Sequence, residues 1–214
     1  MTIERRFGSI VVLNGAPRSG KTSIAQAMQR QLDEIWINLG VDLFAQAIPE
    51  RCRPGIGLRP GGERPDLEPL VATLYAALYE SVAAHSRLGL NVVVDVGHHN
   101  DYAAPRSILA DCARRLTGLP ALFVGVRCAL DTILERRSRS QPGREGLYLS
   151  AAPDAPVPSP ILAWQREVHV PGIYDMELDT DKRTPEDCAR AIACRLITPS
   201  AGPSAFERLA EMGI

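Results

Sequence analysis

Eight consecutive residues, Gly15, Ala16, Pro17, Arg18, Ser19, Gly20, Lys21 and Thr22, satisfy the spacing Gly-x-x-x-x-Gly-Lys-Ser/Thr without a mismatch. A loop of this composition turns several backbone N–H groups toward one centre. Its lysine supplies a cation for outer phosphates and its threonine a hydroxyl for Mg2+. The expected ligand is ATP, held by all eight residues, with Thr22 on the metal. Asp95 ends the apolar run Leu90 to Val96, where a second acid helps to hold the magnesium, often through water. A helix cap or an ordinary acid at a strand end is the alternative for it.

Asp42 closes a second candidate strand, Trp36 to Val41, at the edge of an open sheet where ligands bind. A carboxylate there can take the proton of a hydroxyl that attacks the γ-phosphate, and it can equally cap the short helix expected over Leu43 to Ile48. Arg136, Arg137, Arg139 and Arg144 cluster before and inside a proline-rich stretch. Phosphoryl transfer needs positive charge over the equatorial oxygens, and Arg136 is the expected catalytic one, a solvated helix face accounting for others. His98 and His99 are adjacent, cannot face the same way on a helix or strand, and lack matching ligand spacing, so they read as loop residues near the substrate and not as a zinc site.

These residues need a scaffold, and the periodicity supplies one. Ser9 to Leu13 is a short apolar run that breaks at Asn14-Gly15, the pattern of a strand buried on both faces. Behind the loop Ile24, Met28 and Leu32 recur every four positions as one face of a helix. Asp66, as N-cap, opens a long amphipathic helix through Leu67, Leu70, Val71, Leu74, Leu78 and Val82. Strands follow at Leu90 to Val96, Ala121 to Val126 and Tyr174 to Asp179, with helices marked by Ile108 to Leu116, Leu130 to Arg139, Ile161 to Val168 and Thr184 to Ile197. Thr184-Pro185-Glu186-Asp187 is a complete helix start. The alternation predicts a three-layer α/β/α domain built around the P-loop over residues 1–197, with a mostly parallel five-stranded sheet. A flap is expected at about 51–65 and a lid at about 136–160, both rich in Pro or Gly. The tail 198–214, with a short helix from Ala205 to Met212, is expected as a packing or homo-oligomer contact.

Composition narrows the partners. The 214 residues carry 24 Lys plus Arg against 25 Asp plus Glu, net −1, which removes the main electrostatic reason for binding nucleic acid or anionic membranes. No apolar run has the length of a membrane span or signal core, so a cytoplasmic protein is expected. Five scattered cysteines without CxxC spacing suggest neither disulfides nor a zinc knuckle.

With these residues in place the chain resembles chloramphenicol phosphotransferase over about residues 9 to 197. The resemblance is carried by Ile10 to Gly15 entering the P-loop, Gly40-Val41-Asp42, Val124-Gly125-Val126-Arg127-Cys128, Val168-His169, and Tyr174-Asp175 followed by Glu177 and Asp179-Thr180. It implies an ATP-dependent O-phosphotransferase with Mg2+, Asp42 as general base, an Arg136 associated with the lid, a small hydroxyl-bearing acceptor of amphenicol type, and a role in antibiotic resistance. The flap and the segment Val96 to Tyr102 depart from that family's pattern, where the acceptor pocket would be lined. Two other readings stay open: a kinase of nucleosides, nucleotides or RNA ends, and a nucleotide-binding regulator with little catalysis.

Overall fold

The computed structural model describes residues 6–52, 64–138, 156–198 and 201–212. Most of the expected flap and lid, with Arg139 and Arg144, lies outside the described residues. The first half of the chain runs β1 (Ile10–Asn14), α1 (Lys21–Gln31), β2 (Trp36–Asn38), α2 (Val41–Gln46), α3 (Glu68–Arg87), β3 (Asn91–Val96) and α4 (Ile108–Arg115). The second half runs β4 (Ala121–Arg127), α5 (Leu130–Ser138), α6 (Ser159–Glu167), β5 (Met176–Asp179), α7 (Pro185–Ile197) and α8 (Ala205–Glu211).

The five strands form one sheet in the order β2-β3-β1-β4-β5, every pair parallel. All of β1 is buried, as its unbroken apolar run requires. Its alternate residues serve two cores. Ile10 and Val12 pack with α3, α4 and α8, whereas Val11 and Leu13 pack with α1 and α7. In β3, Val92, Val94 and Val96 join the first core and Val93 the second. Asp95 shares the face of Val93, the face that α1 covers, and stands in register with Leu13 just before the P-loop. Strand period and register thus bring Asp95 to the start of α1.

Several boundaries differ from the periodicity; β5, for one, begins at Met176 and not at Tyr174. β2 ends at Asn38 and α2 begins at Val41, so Asp42 lies in the first turn of a helix and not at a strand end. At the break a Cβ on Gly40 would lie 1.7 Å from Asp95 Oδ1, so the chain passes the carboxylate there only as glycine. Gly40 caps α2, which removes the capping role considered for Asp42. Likewise α3 is capped by Leu67, since Asp66 is drawn into a bidentate pair with Arg64 at 2.8 and 2.9 Å. The expected start at Thr184 is observed in full, with Pro185 first and a reciprocal Thr184–Asp187 capping box.

The tail beyond residue 197 is part of the core. Ala205, Phe206 and Leu209 of α8 are buried against the first core, and the Phe206 ring lies 4.8 Å from that of Phe123. Asp175 accepts from the Ala205 N–H at 2.8 Å, and Arg208 donates to Tyr174 O at 3.1 Å.

Candidate active site

The P-loop joins β1 to α1 through two left-handed residues, Arg18 (φ 72°) and Gly20 (φ 99°). Gly20 is the N-cap of α1 and offers no side chain, so the first-turn N–H groups remain directed at the loop's concavity. Ser19 N–H donates to Ala16 O at 3.1 Å, which closes the turn. The Ser19 hydroxyl is enclosed and meets no hydrogen-bonding group among the described residues. Nearly all buried polar groups are satisfied, so a loop that encloses one while leaving helix N–H groups uncapped is built for an anion.

Lys21 reaches back across the loop and donates to Gly15 O at 2.7 Å and Ala16 O at 2.9 Å. Burial lowers its pKa to about 8, with the carboxylates of Asp95 and Asp42 pulling the other way. Both carboxylates are thus near enough to act on the charge of the lysine. Thr22 Oγ1 donates to Asp95 Oδ2 at 2.6 Å, so a hydroxyl and a carboxylate, both hard oxygen donors, stand together beside the anion cradle. Mg2+ is usually held by one or two protein oxygens, with phosphates and water completing its shell, and this pair fits that pattern. Among the described residues no group of three or more His, Cys, Asp or Glu side chains is arranged to hold a metal alone.

Arg136 projects from the end of α5 onto the same loop. Its guanidinium donates to Arg18 O at 3.3 Å, to Thr180 O at 3.0 Å and to Thr180 Oγ1 at 3.3 Å, and approaches Cys128 Sγ at 3.3 Å. Arg18 returns the contact by donating to Arg136 O. Arg137 follows it on the helix, and Arg139 and Arg144 lie beyond the described residues.

Aromatic side chains gather around the segment that follows β3. Tyr75 of α3, close enough to feel the charge of Asp42, donates to Gly97 O at 3.3 Å, and its ring lies tilted 4.6 Å from that of His98. Burial raises its pKa well above 10, so it stays a neutral phenol. His99 stacks on Tyr102 at 4.3 Å and meets the edge of Trp164 at 5.1 Å. The two histidines part company, as expected for neighbours. His98 is buried, pairs with Tyr79 Oη at 2.9 Å, and is held neutral with a pKa near 3 by desolvation, so it belongs to the core and not to the substrate side.

Two contributors escaped the sequence reading. Asn14 is buried at the end of β1, where its amide donates to Val168 O at 2.7 Å and Tyr174 Oη at 2.9 Å and its oxygen accepts from His98 N–H at 2.8 Å. A polar residue ending an otherwise apolar strand was the available signal. The fully enclosed carboxylate of Glu68 accepts from Ala103 N–H at 2.7 Å and pairs with Arg106 at 3.0 Å, pinning the segment that carries His99 and Tyr102. Nothing in the spacing of the sequence marks that pair.

The model of the chloramphenicol phosphotransferase-like protein family matches residues 8–197, and the chain belongs to that family. A protein of Mycobacterium tuberculosis strain H37Rv with a provisional O-phosphotransferase name is 27% identical over 221 residues, covering 94% of this chain and 88% of the relative. Among solved structures, the Mycobacterium tuberculosis APS kinase in complex with AMPPNP and APS is similar with a TM-score of 0.57 at 16% identity, covering 90% of this chain and 99% of that one. A gluconokinase from Sinorhizobium meliloti 1021 is similar with a TM-score of 0.53 at 22% identity, covering 97% and 96%. These two likenesses are of fold: the chain has the architecture of a P-loop kinase.

Proposed function

We propose that this member of the chloramphenicol phosphotransferase-like family transfers the γ-phosphoryl group of Mg-ATP to a hydroxyl of a small, uncharged molecule, with Asp42 as general base. The observation that carries the reading is the grouping of Asp42, Asp95 and Thr22 around Lys21 at the mouth of an anion cradle. Thr22 and Asp95 would hold Mg2+, which when bound supplies positive charge to the β- and γ-phosphate oxygens. The P-loop N–H groups and Lys21 bind the phosphates, and Lys21 exchanges its contacts with Gly15 O and Ala16 O for phosphate oxygens. Asp42 accepts the proton of the acceptor hydroxyl as that oxygen bonds to the γ-phosphorus. The bond from the γ-phosphorus to the bridging oxygen breaks, and ADP leaves. Arg136, seated on Arg18 and Thr180, adds positive charge at the nucleotide side of the loop.

The acceptor would lie beside Asp42 against Tyr75, Tyr102, His99 and Trp164. These rings favour a compact, partly apolar alcohol, and an amphenicol antibiotic is the first acceptor to try. A phosphorylated acceptor needs cations of its own, and the nearby chain commits Arg106 to Glu68 and Arg64 to Asp66. No helix among the described residues is long and apolar enough to cross a bilayer. Incubation with Mg-ATP and a panel of alcohols, nucleosides and nucleoside monophosphates, followed by mass spectrometry, tests the reading. The expected product is a phosphomonoester of a neutral alcohol. Exclusive formation of nucleoside diphosphates would move the assignment to a nucleotide kinase.

A further inference from the structure

Thr180 follows the last residue of β5 and lies on a turn, yet it is only 9% exposed. A turn threonine ordinarily keeps its hydroxyl in water, so an enclosed one calls for partners. Thr180 has them on three separate segments. Its Oγ1 lies 2.8 Å from Ser19 O and 3.2 Å from Arg127 O, and it accepts from Arg136 Nη1 at 3.3 Å. The backbone is engaged as well: Thr180 N–H donates to Arg127 O at 3.0 Å, and Thr180 O accepts from Arg136 Nη2 at 3.0 Å. A hydroxyl has one proton to give, and the shorter of its two carbonyl contacts is to the P-loop. The methyl group packs on the next residue of that loop, Cγ2 lying 3.5 Å from where a Cβ on Gly20 would stand.

We infer that Thr180 is a positioning residue for nucleotide binding, its hydroxyl holding the Ser19–Gly20 turn from which α1 and Lys21 reach the phosphates while orienting Arg136 on the same turn. The inference rests on the Mg-ATP reading and adds to it a residue that acts through others. The physical ground is pre-organisation. Anion binding by backbone N–H groups is strong when the loop is already shaped, and a loop that must be ordered on binding loses that part of its affinity. Without the hydroxyl, Ser19 O loses a buried donor and Arg136 loses one of its acceptors.

The test compares Thr180→Val, which keeps the shape and loses the hydroxyl, with Thr180→Ser, which keeps the hydroxyl. Isothermal titration with the magnesium complex of a non-hydrolysable ATP analogue reads affinity without any acceptor. Thr180→Val should raise Kd about tenfold, the effect of one buried hydrogen bond, and Thr180→Ser should stay within about twofold of wild type. In turnover assays KM for ATP should rise in the valine variant while KM for the acceptor holds. A threonine that merely supports the fold would lower the melting temperature and leave Kd of the folded protein unchanged. That result, with wild type binding the analogue, overturns the inference and spares the kinase reading. A wild-type protein that binds no nucleotide overturns both. Thr180→Ala, which adds no bulk, gives the same comparison if valine is not accommodated.

Discussion

At the scale of single residues, the site holds one buried cation, Lys21, within the field of two acids, Asp95 and Asp42. Lys21 in the folded, ligand-free protein releases its proton near pH 8, well below its ordinary value of 10.5. Between those values the unfolded chain holds the proton that the folded chain has lost. The contribution of Lys21 to stability therefore rises with pH through that window and is at its least favourable below it. Nucleotide binding runs the other way. Phosphates favour the charged lysine, so above about pH 8 binding takes up a proton and ATP affinity falls. Titration calorimetry in buffers of different ionisation enthalpy should show proton uptake at pH 9 and little at pH 7; equal uptake at both would remove Lys21 from the phosphate site. For Asp42, replacement by Asn should leave nucleotide affinity near wild type and lower the transfer rate by roughly 10² to 10⁴, the range of a positioned proton acceptor. Because Gly40 is the N-cap of α2, the same variant removes no helix cap. A drop in ATP affinity instead would assign Asp42 to the nucleotide.

At the scale of elements, the sheet positions the nucleotide half of the site and loops position the acceptor half. Asp95 and the P-loop leave adjacent parallel strands in fixed register, so their geometry follows from β1 and β3. The segment after β3 has no such ladder and is held by Glu68, whose carboxylate bridges Ala103 N–H and Arg106 from the first turn of α3. Glu68→Gln weakens both contacts at a fully enclosed site. Because Arg106 keeps access to water, the expected cost is about 1–3 kcal/mol and not the larger penalty of a wholly buried pair. Denaturant unfolding measures that cost. The functional expectation is a raised KM for the acceptor with nucleotide affinity unchanged, because His99 and Tyr102 shift and the P-loop does not. Parallel loss of both affinities would show that the two halves are not separately held.

At the scale of the whole molecule, the last helix completes the core that covers one face of the sheet. Phe206 is 3% exposed and packs on Phe123 and Tyr79, so Phe206→Ala should cost about 3–5 kcal/mol, read as a lower denaturant midpoint with an unchanged slope. A stable variant would make α8 an accessory to the fold. The sheet was legible from local rules: its inner strands are continuous apolar runs broken by glycine, asparagine or proline, and β5 alternates apolar residues with acids as a strand with one exposed face does. The P-loop was legible because its function depends on backbone shape, which forces particular residue types at consecutive positions. By itself, then, the amino-acid sequence determined the α/β class, the nucleotide loop, the acids worth watching and the family. Tertiary structure alone decided the rest. Asp42 sits in the first turn of a helix and not at a strand end, and residue 40 beside it must be glycine because Asp95, from a distant strand, fills the space there. His98 and His99, both buried, part to different partners because Tyr79 and Trp164 come from distant helices. Glu68 carries no local signature, and Asp179-Thr180 marked the family without giving Thr180 a role, since the partners of both residues meet them only after the sheet has closed its register. Local pattern records what one element needs from water and from its own backbone; contacts between elements are set by register and packing, which no short window of sequence contains.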